Sequence, residues 1–268
     1  MGIKGAILGD IIGSAFEFRK PSEYDYKTVD LLTELSGFTD DTVMTLATKH
    51  ALRCQIPFAT AYKLFGRMYP DAGYGEMFED WINEVDESIV SESYGSGAAM
   101  RISPIVEHST DISTMFDDIE ASALCSHGSP EGTKGANVAA GALKMAMDGI
   151  SKGQILSYAI ACYPIDQYKV SPWYSVETLR EKYQWSDLAQ DVVPLAIRCA
   201  IEAESFEDFM RMVISIDCDA DTVGAIGGAI AEEFFKDTND PLLNRADEII
   251  RQYLDERLWR EYKSEVTT

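Results

Sequence analysis

The sequence predicts an all-α fold, and three observations carry that expectation. Apolar residues recur at three- and four-residue steps along most of the chain, the spacing of a buried helical face. Pro57, Pro70, Pro130, Pro172 and Pro241 fall between the periodic segments, where a fixed φ and a missing N–H break a helix. No run alternates apolar and polar residues between Asn-Gly or Asp-Gly turn signals, so a substantial sheet is not expected.

The first element, residues 5–16, is an apolar run interrupted by Asp10. Gly5, Gly9 and Gly13 repeat every four residues, on one face of a helix, and small residues there let a second helix approach closely despite their poor helix propensity. The next clear period covers residues 42–53, with Val43, Leu46, Ala47 and Ala51 on one side, and another covers 113–125. Residues 162–185 are the least periodic and hold Tyr163, Tyr168, Trp173, Tyr174, Tyr183 and Trp185. That stretch reads as a loop or interrupted helix wrapped over the body, its aromatics serving the core or a lid. A late helix over 222–235 repeats the four-residue glycine spacing at Gly224 and Gly228.

With 268 residues, 46% of them hydrophobic, the chain is expected to bury a full core as one domain over residues 1–268. The run over 5–16 is too short to span a bilayer and lacks a basic flank or a cleavage site, so a cytoplasmic protein without a membrane partner is expected. Five cysteines, odd in number and without a C-x-x-C pair, argue against a disulfide framework or structural zinc; reduced and mostly buried thiols are expected. A net charge of -22 repels phosphate backbones at long range and disfavours nucleic acid as a general partner. A small anion stays compatible, because a local cation or a helix N-terminus overrides the global field at short distance.

Thr39, Asp40 and Asp41 stand immediately before the helix over 42–53. Alone they read as a cap, with oxygens accepting first-turn N–H bonds at the positive end of the helix dipole. In Asp217-Cys218-Asp219-Ala220-Asp221-Thr222, three carboxylates on alternate residues repel one another unless a cation or protons compensate. A calcium loop fails on spacing: counted from Asp217, the sixth position is Thr222 where Gly is needed, and the twelfth is Gly228 where a bidentate Glu is needed. Two loop-to-helix junctions about 180 residues apart therefore each present Asp oxygens and a Thr hydroxyl. Such hard donors suit Mg²⁺ or Mn²⁺, and two facing sets hold two metals roughly 3.5–4 Å apart, a geometry that activates water.

These segments and their order resemble the ADP-ribosylglycohydrolase family. Residues 5–17 look like its first helix with a closing glutamate, Glu17, and Phe38-Thr39-Asp40-Asp41-Thr42 looks like its Thr-Asp-Asp-Thr motif. Tyr94-Gly95-Ser96-Gly97-Ala98-Ala99-Met100-Arg101 is similar to its Gly-Asn-Gly-Ala-Ala-Met-Arg segment. Ser126-His127 resembles its Thr-His element, and Asp219-Ala220-Asp221-Thr222 its Asp-x-Asp-Thr segment. The resemblance implies an orthogonal multi-helix bundle with two Mg²⁺ or Mn²⁺ ions. It further implies removal of ADP-ribose from a modified arginine or serine side chain, so that ADP-ribose or an ADP-ribosylated protein is the partner.

Carried over by position, Thr39, Asp40, Asp41, Asp219, Asp221 and Thr222 are the implied metal ligands, with Glu17 a further ligand or a carboxylate that moves when substrate enters. Asp40, Asp41 or Glu17 is implied to handle the proton of the water that attacks the anomeric carbon. Gly95, Ser96, Gly97, Ala98, Met100 and His127 are the implied substrate contacts. The loop also has a reading of its own, since glycines let backbone N–H groups approach a pyrophosphate without side-chain clash. Arg101 either neutralises phosphate or pairs with one of many acids, and the pairing is expected; His50 and His108 are expected to be ordinary packed or surface residues.

The chain departs from the family pattern at Ser96, where the family has Asn, and at Asp217-Cys218, where it has a glycine pair. Asp217 adds negative charge that either tightens metal binding or crowds a ligand. Two rivals remain beside the enzyme: a member that keeps the fold as an ADP-ribose-binding or structural protein, and a hydrolase of a free ADP-ribose conjugate. A complete set of Glu17 and both acidic clusters favours the enzyme.

Overall fold

Among the residues that the computed structural model describes, 2–86 and 89–266, there are fifteen α-helices and no extended strand. Extended pairing is confined to two isolated bridges, Glu92 with His127 and Gly95 with Leu188. In chain order the helices are α1 (Ile3–Gly13), α2 (Asp40–Cys54), α3 (Phe58–Met68), α4 (Glu76–Asn83) and α5 (Ser103–His108). Next come α6 (Ile112–Leu124), α7 (Pro130–Met147), α8 (Lys152–Cys162), α9 (Val176–Lys182) and α10 (Ala189–Glu202). The last five are α11 (Phe206–Ile214), α12 (Ala220–Phe235), α13 (Pro241–Asn244), α14 (Ala246–Tyr253) and α15 (Glu256–Lys263). The all-α expectation holds, and the segments 42–53, 113–125 and 222–235 fall on α2, α6 and α12.

The centre of the bundle is the pair α1 and α12. α1 is apolar on every side, and of its residues only Lys4 escapes burial. Its glycine face meets the small residues of α12. A Cβ at Gly5 would fall 2.2 Å from the Gly228 carbonyl oxygen, one at Gly9 2.0 Å from that of Gly224, and one at Gly13 2.2 Å from that of Ala220. The two helices therefore touch backbone to backbone, which only this spacing permits. The open N–H groups at the start of α1 find their acceptor across the same interface: Glu232 of α12 takes bonds from Gly2 N–H at 2.6 Å and Gly5 N–H at 2.7 Å. α2, α11 and α14 pack on α1, while α7, α10 and α11 pack on α12. One hydrophobic cluster includes buried side chains from Ile3 to Tyr262.

Pro57 immediately precedes α3, and Pro130 and Pro241 are the first residues of α7 and α13, where no N–H is missed. Pro194, which the sequence reading does not assign, lies inside α10. Its missing N–H leaves the Gln190 carbonyl without a helical partner, and the Tyr168 hydroxyl donates to that carbonyl at 2.8 Å. Tyr168 belongs to the stretch 162–185, which carries a 3-10 turn at Ile165–Gln167 and then α9, the interrupted helix expected. Of its aromatics, Tyr163, Trp173 and Tyr183 are buried, and Tyr174 and Trp185 are exposed.

The expectation of mostly buried cysteines does not hold. All five are free, but only Cys199 and Cys218 are buried. Cys54, Cys125 and Cys162 stand at the C-terminal ends of α2, α6 and α8, and helix ends come to the surface. No helix among the described residues is long and apolar enough to cross a membrane.

Candidate metal centre and ligand loop

The α1/α12 crossing sets Gly13 against Ala220, so the end of one helix meets the start of the other. Asp10 and Glu17, one inside α1 and one in the turn after it, are thereby brought to Asp219 and Asp221. α2 joins through Asp10, a carboxylate with no exposed surface. Its Oδ2 accepts from Thr39 N–H at 3.0 Å, from Thr42 N–H at 3.1 Å and, in a short bond, from the Thr42 hydroxyl. Its Oδ1 accepts from the Thr39 hydroxyl at 2.7 Å. Asp10 thus caps α2 from another helix, while Thr39 is the N-cap within the chain and accepts from Asp41 N–H at 3.3 Å. The turn after α1 is tied to the same loop by Gly37 N–H donating to Ser14 Oγ at 3.0 Å.

Two groups of three carboxylates result, Asp10 with Asp41 and Asp221, and Glu17 with Asp219 and Asp221; within each, one oxygen from every member lies within 4.8 Å of the others. Asp221 is common to both. Thr222 Oγ1 reaches Asp41 Oδ2 at 3.3 Å and so links the two junctions directly. None of the ion pairs among the described residues involves these carboxylates. Burial first, and the charge of Asp221 next, push Asp10 up to about 7 and Glu17 up to about 9, and hold Asp41, Asp40 and Asp219 well above the ordinary carboxylate range.

A divalent cation fits this donor set. Asp41 Oδ1 is buried and bonded to nothing, a cost that a cation beside it removes. Asp10 fits differently: its roughly four acceptor positions already take four donors. It orients Thr39 and the first turn of α2, leaving Asp41, Asp219, Asp221 and Glu17 to face an ion.

The Asp40 carboxyl belongs to neither group. It is half-buried and faces the turn before α4, where its N–H donates to Ala72 O at 2.9 Å and a Cβ at Gly73 would lie 3.8 Å from its Oδ1. Asp217, also half-buried, lies outside both groups as well.

The glycine loop is held by a separate set of contacts. Gly95 N–H donates to Ser93 Oγ at 3.1 Å and Ser96 N–H to Asp187 O at 2.9 Å, so two of the amides expected to meet phosphate serve the protein's own bonds. Ser96, Ala98 and Met100 are buried, while Gly95 and Gly97 are half-buried. Glycine is required at 97 by His127: a Cβ there would fall 2.7 Å from the imidazole Nε2. His127 packs at 5.8 Å on Phe78, which packs at 5.6 Å on Tyr74. Arg101 departs from expectation, being fully buried and paired with no acid among the described residues; its Nη2 donates to Ser122 O and Ser126 Oγ, both at 2.7 Å. His50 does bond at the surface, its Nδ1 2.9 Å from Glu261.

A family profile described as ADP-ribosylglycohydrolase matches residues 2–231, a span that holds both carboxylate groups and the glycine loop. The chain belongs to the ADP-ribosylglycohydrolase family. The mouse (Mus musculus) protein ADP-ribosylhydrolase ARH3 is similar to it, 25% identical over 304 residues that cover 87% of this chain and 82% of the mouse one. A solved ADP-ribosylglycohydrolase-related protein complex shares its fold, with a TM-score of 0.68 at 22% identity over 97% of this chain and 96% of the other.

For this ADP-ribosylglycohydrolase family member, the structure brings together Thr39, Asp41, Asp219, Asp221, Thr222 and Glu17 of the residues singled out in the sequence, keeps Asp40 within reach of their charge, and sets Gly95, Gly97 and His127 beside one another. The residue that sequence reasoning missed is Asp10. Its signal was a single acid inside an otherwise apolar helix, which is costly unless something across the fold satisfies it.

Proposed function

We propose that this protein is a metal-dependent hydrolase that cleaves the glycosidic bond between ADP-ribose and a modified arginine or serine side chain, releasing ADP-ribose. The observation that carries the reading is the convergence of two three-carboxylate groups on Asp221, in a family whose members act on ADP-ribosylated substrates. Asp41 and Asp221, with the Thr39 and Thr222 hydroxyls beside them, would hold one Mg²⁺ or Mn²⁺; Asp219 and Asp221, with Glu17, would hold a second. When bound, such ions supply concentrated positive charge that orients sugar hydroxyls and makes water more acidic.

The chain's own residues do the rest. Asp10 keeps Thr39 and the first turn of α2 in place. Glu17 lies in a turn at the half-exposed edge of the site, beside the exposed Phe18, and its carboxylate, once ionised, would accept the proton of the water that attacks the anomeric carbon and return it to the departing side-chain oxygen or nitrogen. Gly95, Gly97 and His127 form the wall against which the rest of the ADP-ribose would lie. Asp40, on the side of the 72–74 turn and raised by burial and by the charges of Asp221 and Asp10, would be a further carboxylate toward the ions or the water proton.

The test is release of ADP-ribose from arginine- and serine-linked peptides with Mg²⁺, with Mn²⁺ and with chelator. Chelation should abolish release, and Asp221→Asn should reduce it by about a thousandfold, because one carboxylate serves both groups. Undiminished hydrolysis by Asp221→Asn would sink the reading.

A further inference from the structure

Among the described residues Arg101 is the largest of the fully buried side chains, and no carboxylate of theirs forms an ion pair with it. Its guanidinium lies 3.9 Å over the Tyr62 ring and 5.5 Å from that of Phe78, and its Nε and Nη1 are buried without a hydrogen bond. Burying a guanidinium on these terms is costly, so the bonds that it does make are informative. One of the two goes to Ser126 Oγ, 2.7 Å away, and Ser126 Oγ in turn lies 2.9 Å from His127 Nδ1.

The direction of that second bond follows from proton counting. A guanidinium has donors and no acceptor, so it fills an acceptor position on Ser126 Oγ and takes no proton from it. The single hydroxyl proton must go elsewhere, and His127 Nδ1 is the strong acceptor in reach. The sulfur of neighbouring Cys125 is a weak acceptor, and its own proton is directed at Ser122 O, 3.2 Å away. Burial, with the Arg101 charge beside it, holds the His127 pKa well below the ordinary value, so the ring is neutral. A neutral ring that accepts at Nδ1 carries its proton on Nε2. Nε2 is the atom turned to the loop, since a Cβ would lie 2.7 Å from it at Gly97 and 3.8 Å at Gly95.

We propose that Arg101 and Ser126 are positioning residues which, through the chain Arg101 to Ser126 to His127, fix His127 as the Nε2–H tautomer and present one N–H donor beside Gly97 to an acceptor oxygen of the ligand. That the oxygen belongs to ADP-ribose rests on the function proposed above; the tautomer does not. A loop wall that offers a fixed donor favours a phosphate or sugar oxygen and rejects a group that itself donates.

The experiment combines long-range proton–nitrogen NMR of the histidine rings with calorimetric titration of ADP-ribose, both on the full chain. With three histidines in the sequence, His127 is assigned by the signal lost in His127→Gln. The parent should show a protonated Nε2 and a bare Nδ1. Ser126→Ala should mix or invert the tautomers and weaken ADP-ribose about tenfold, the worth of one hydrogen bond. Ser126→Thr, which keeps the hydroxyl, should restore both, an effect that mere packing would not produce. A protonated Nδ1 in the parent overturns the proposal, as does an Ser126→Ala ring with an unchanged tautomer. An altered tautomer with unaltered ADP-ribose affinity removes the ligand-presenting role. A parent that does not bind ADP-ribose overturns the proposed function instead, and its NMR spectrum still decides the tautomer, whatever the stability of the variants.

Discussion

Replacing Gly9 with Ala perturbs the α1/α12 crossing at its tightest point. The new Cβ would stand 2.0 Å from the Gly224 carbonyl oxygen and 2.4 Å from its carbon, both backbone atoms of a helix with no side chain to swing aside. Ordinary contact between such atoms is about 3.5 Å, so the helices must part locally by roughly 1 Å or more. Over-packing costs about 1–3 kcal/mol, and more where backbone must move. Helix propensity opposes this by about 1 kcal/mol, since alanine is the better helix former. The clash wins. A net loss of about 2 kcal/mol lowers the melting temperature by roughly 4–8 °C in a chain of this size. Asp10 is the next residue on α1, and Asp221 lies in the first turn of α12, so the same displacement spreads the carboxylates and weakens Mg²⁺ or Mn²⁺ by about tenfold or more. Gly153→Ala in α8 is the control: a Cβ there meets nothing within 4 Å, and propensity alone should raise stability by up to about 1 kcal/mol. Scanning calorimetry in chelator and isothermal titration with metal supply both readings. A Gly9→Ala protein that melts with the parent and binds metal equally well refutes the argument.

Three more outcomes are expected. Asp10 at about 7 and Glu17 at about 9 lie above their unfolded values, so their contribution to stability is present at low pH and lost as pH rises through those values. The chelated protein should therefore be more stable and melt higher near about pH 5 than near about pH 9, with roughly 3 kcal/mol from fully buried Asp10 alone, and added metal should flatten the profile; a melting temperature that climbs with pH in chelator contradicts this. Gly97→Ala drives a methyl into the His127 ring and should weaken ADP-ribose about tenfold while leaving metal affinity unchanged, with loss of both in calorimetry counting against the assignment. Glu232→Gln weakens the charged acceptor of two α1 N–H groups and should cost about 1–2 kcal/mol in denaturant unfolding; an unchanged midpoint would show that the cap is dispensable.

Much of the centre is legible in the sequence because its signals are local. Carboxylates on alternate residues at 217–221 repel one another and so call for a cation or protons, and a Thr-Asp-Asp run before an apolar helix marks a helix start. Glycines four apart similarly announce a close helix crossing. What was hidden depends on direction and on distant partners. Asp40 and Asp41 are neighbours in sequence, yet successive side chains on a helix diverge by about 100°, so Asp41 shares an oxygen group with Asp221 while Asp40 lies beside the 72–74 turn and meets the same carboxylates through their charge. Asp10 interrupts an apolar run, but its partners Thr39 and Thr42 lie about thirty residues on, and no local pattern links them. Arg101 sits in an acidic chain whose charge count promises an acid partner; its actual neighbours, Tyr62, Ser122 and Ser126, are gathered by the fold.

The central crossing also constrains the order in which the protein is made. α12 leaves the ribosome about two hundred residues after α1, roughly 10–40 s at about 5–20 residues per second. α2 is made early enough for the four donors of Asp10 to be at hand well before α12. What α1 must leave open until residues 220–235 appear is its stripe of Gly5, Gly9 and Gly13. That stripe has almost no side chain, and so little apolar surface for a nascent neighbour to seize. A face shaped for one late partner is, during the wait, a poor site for any other.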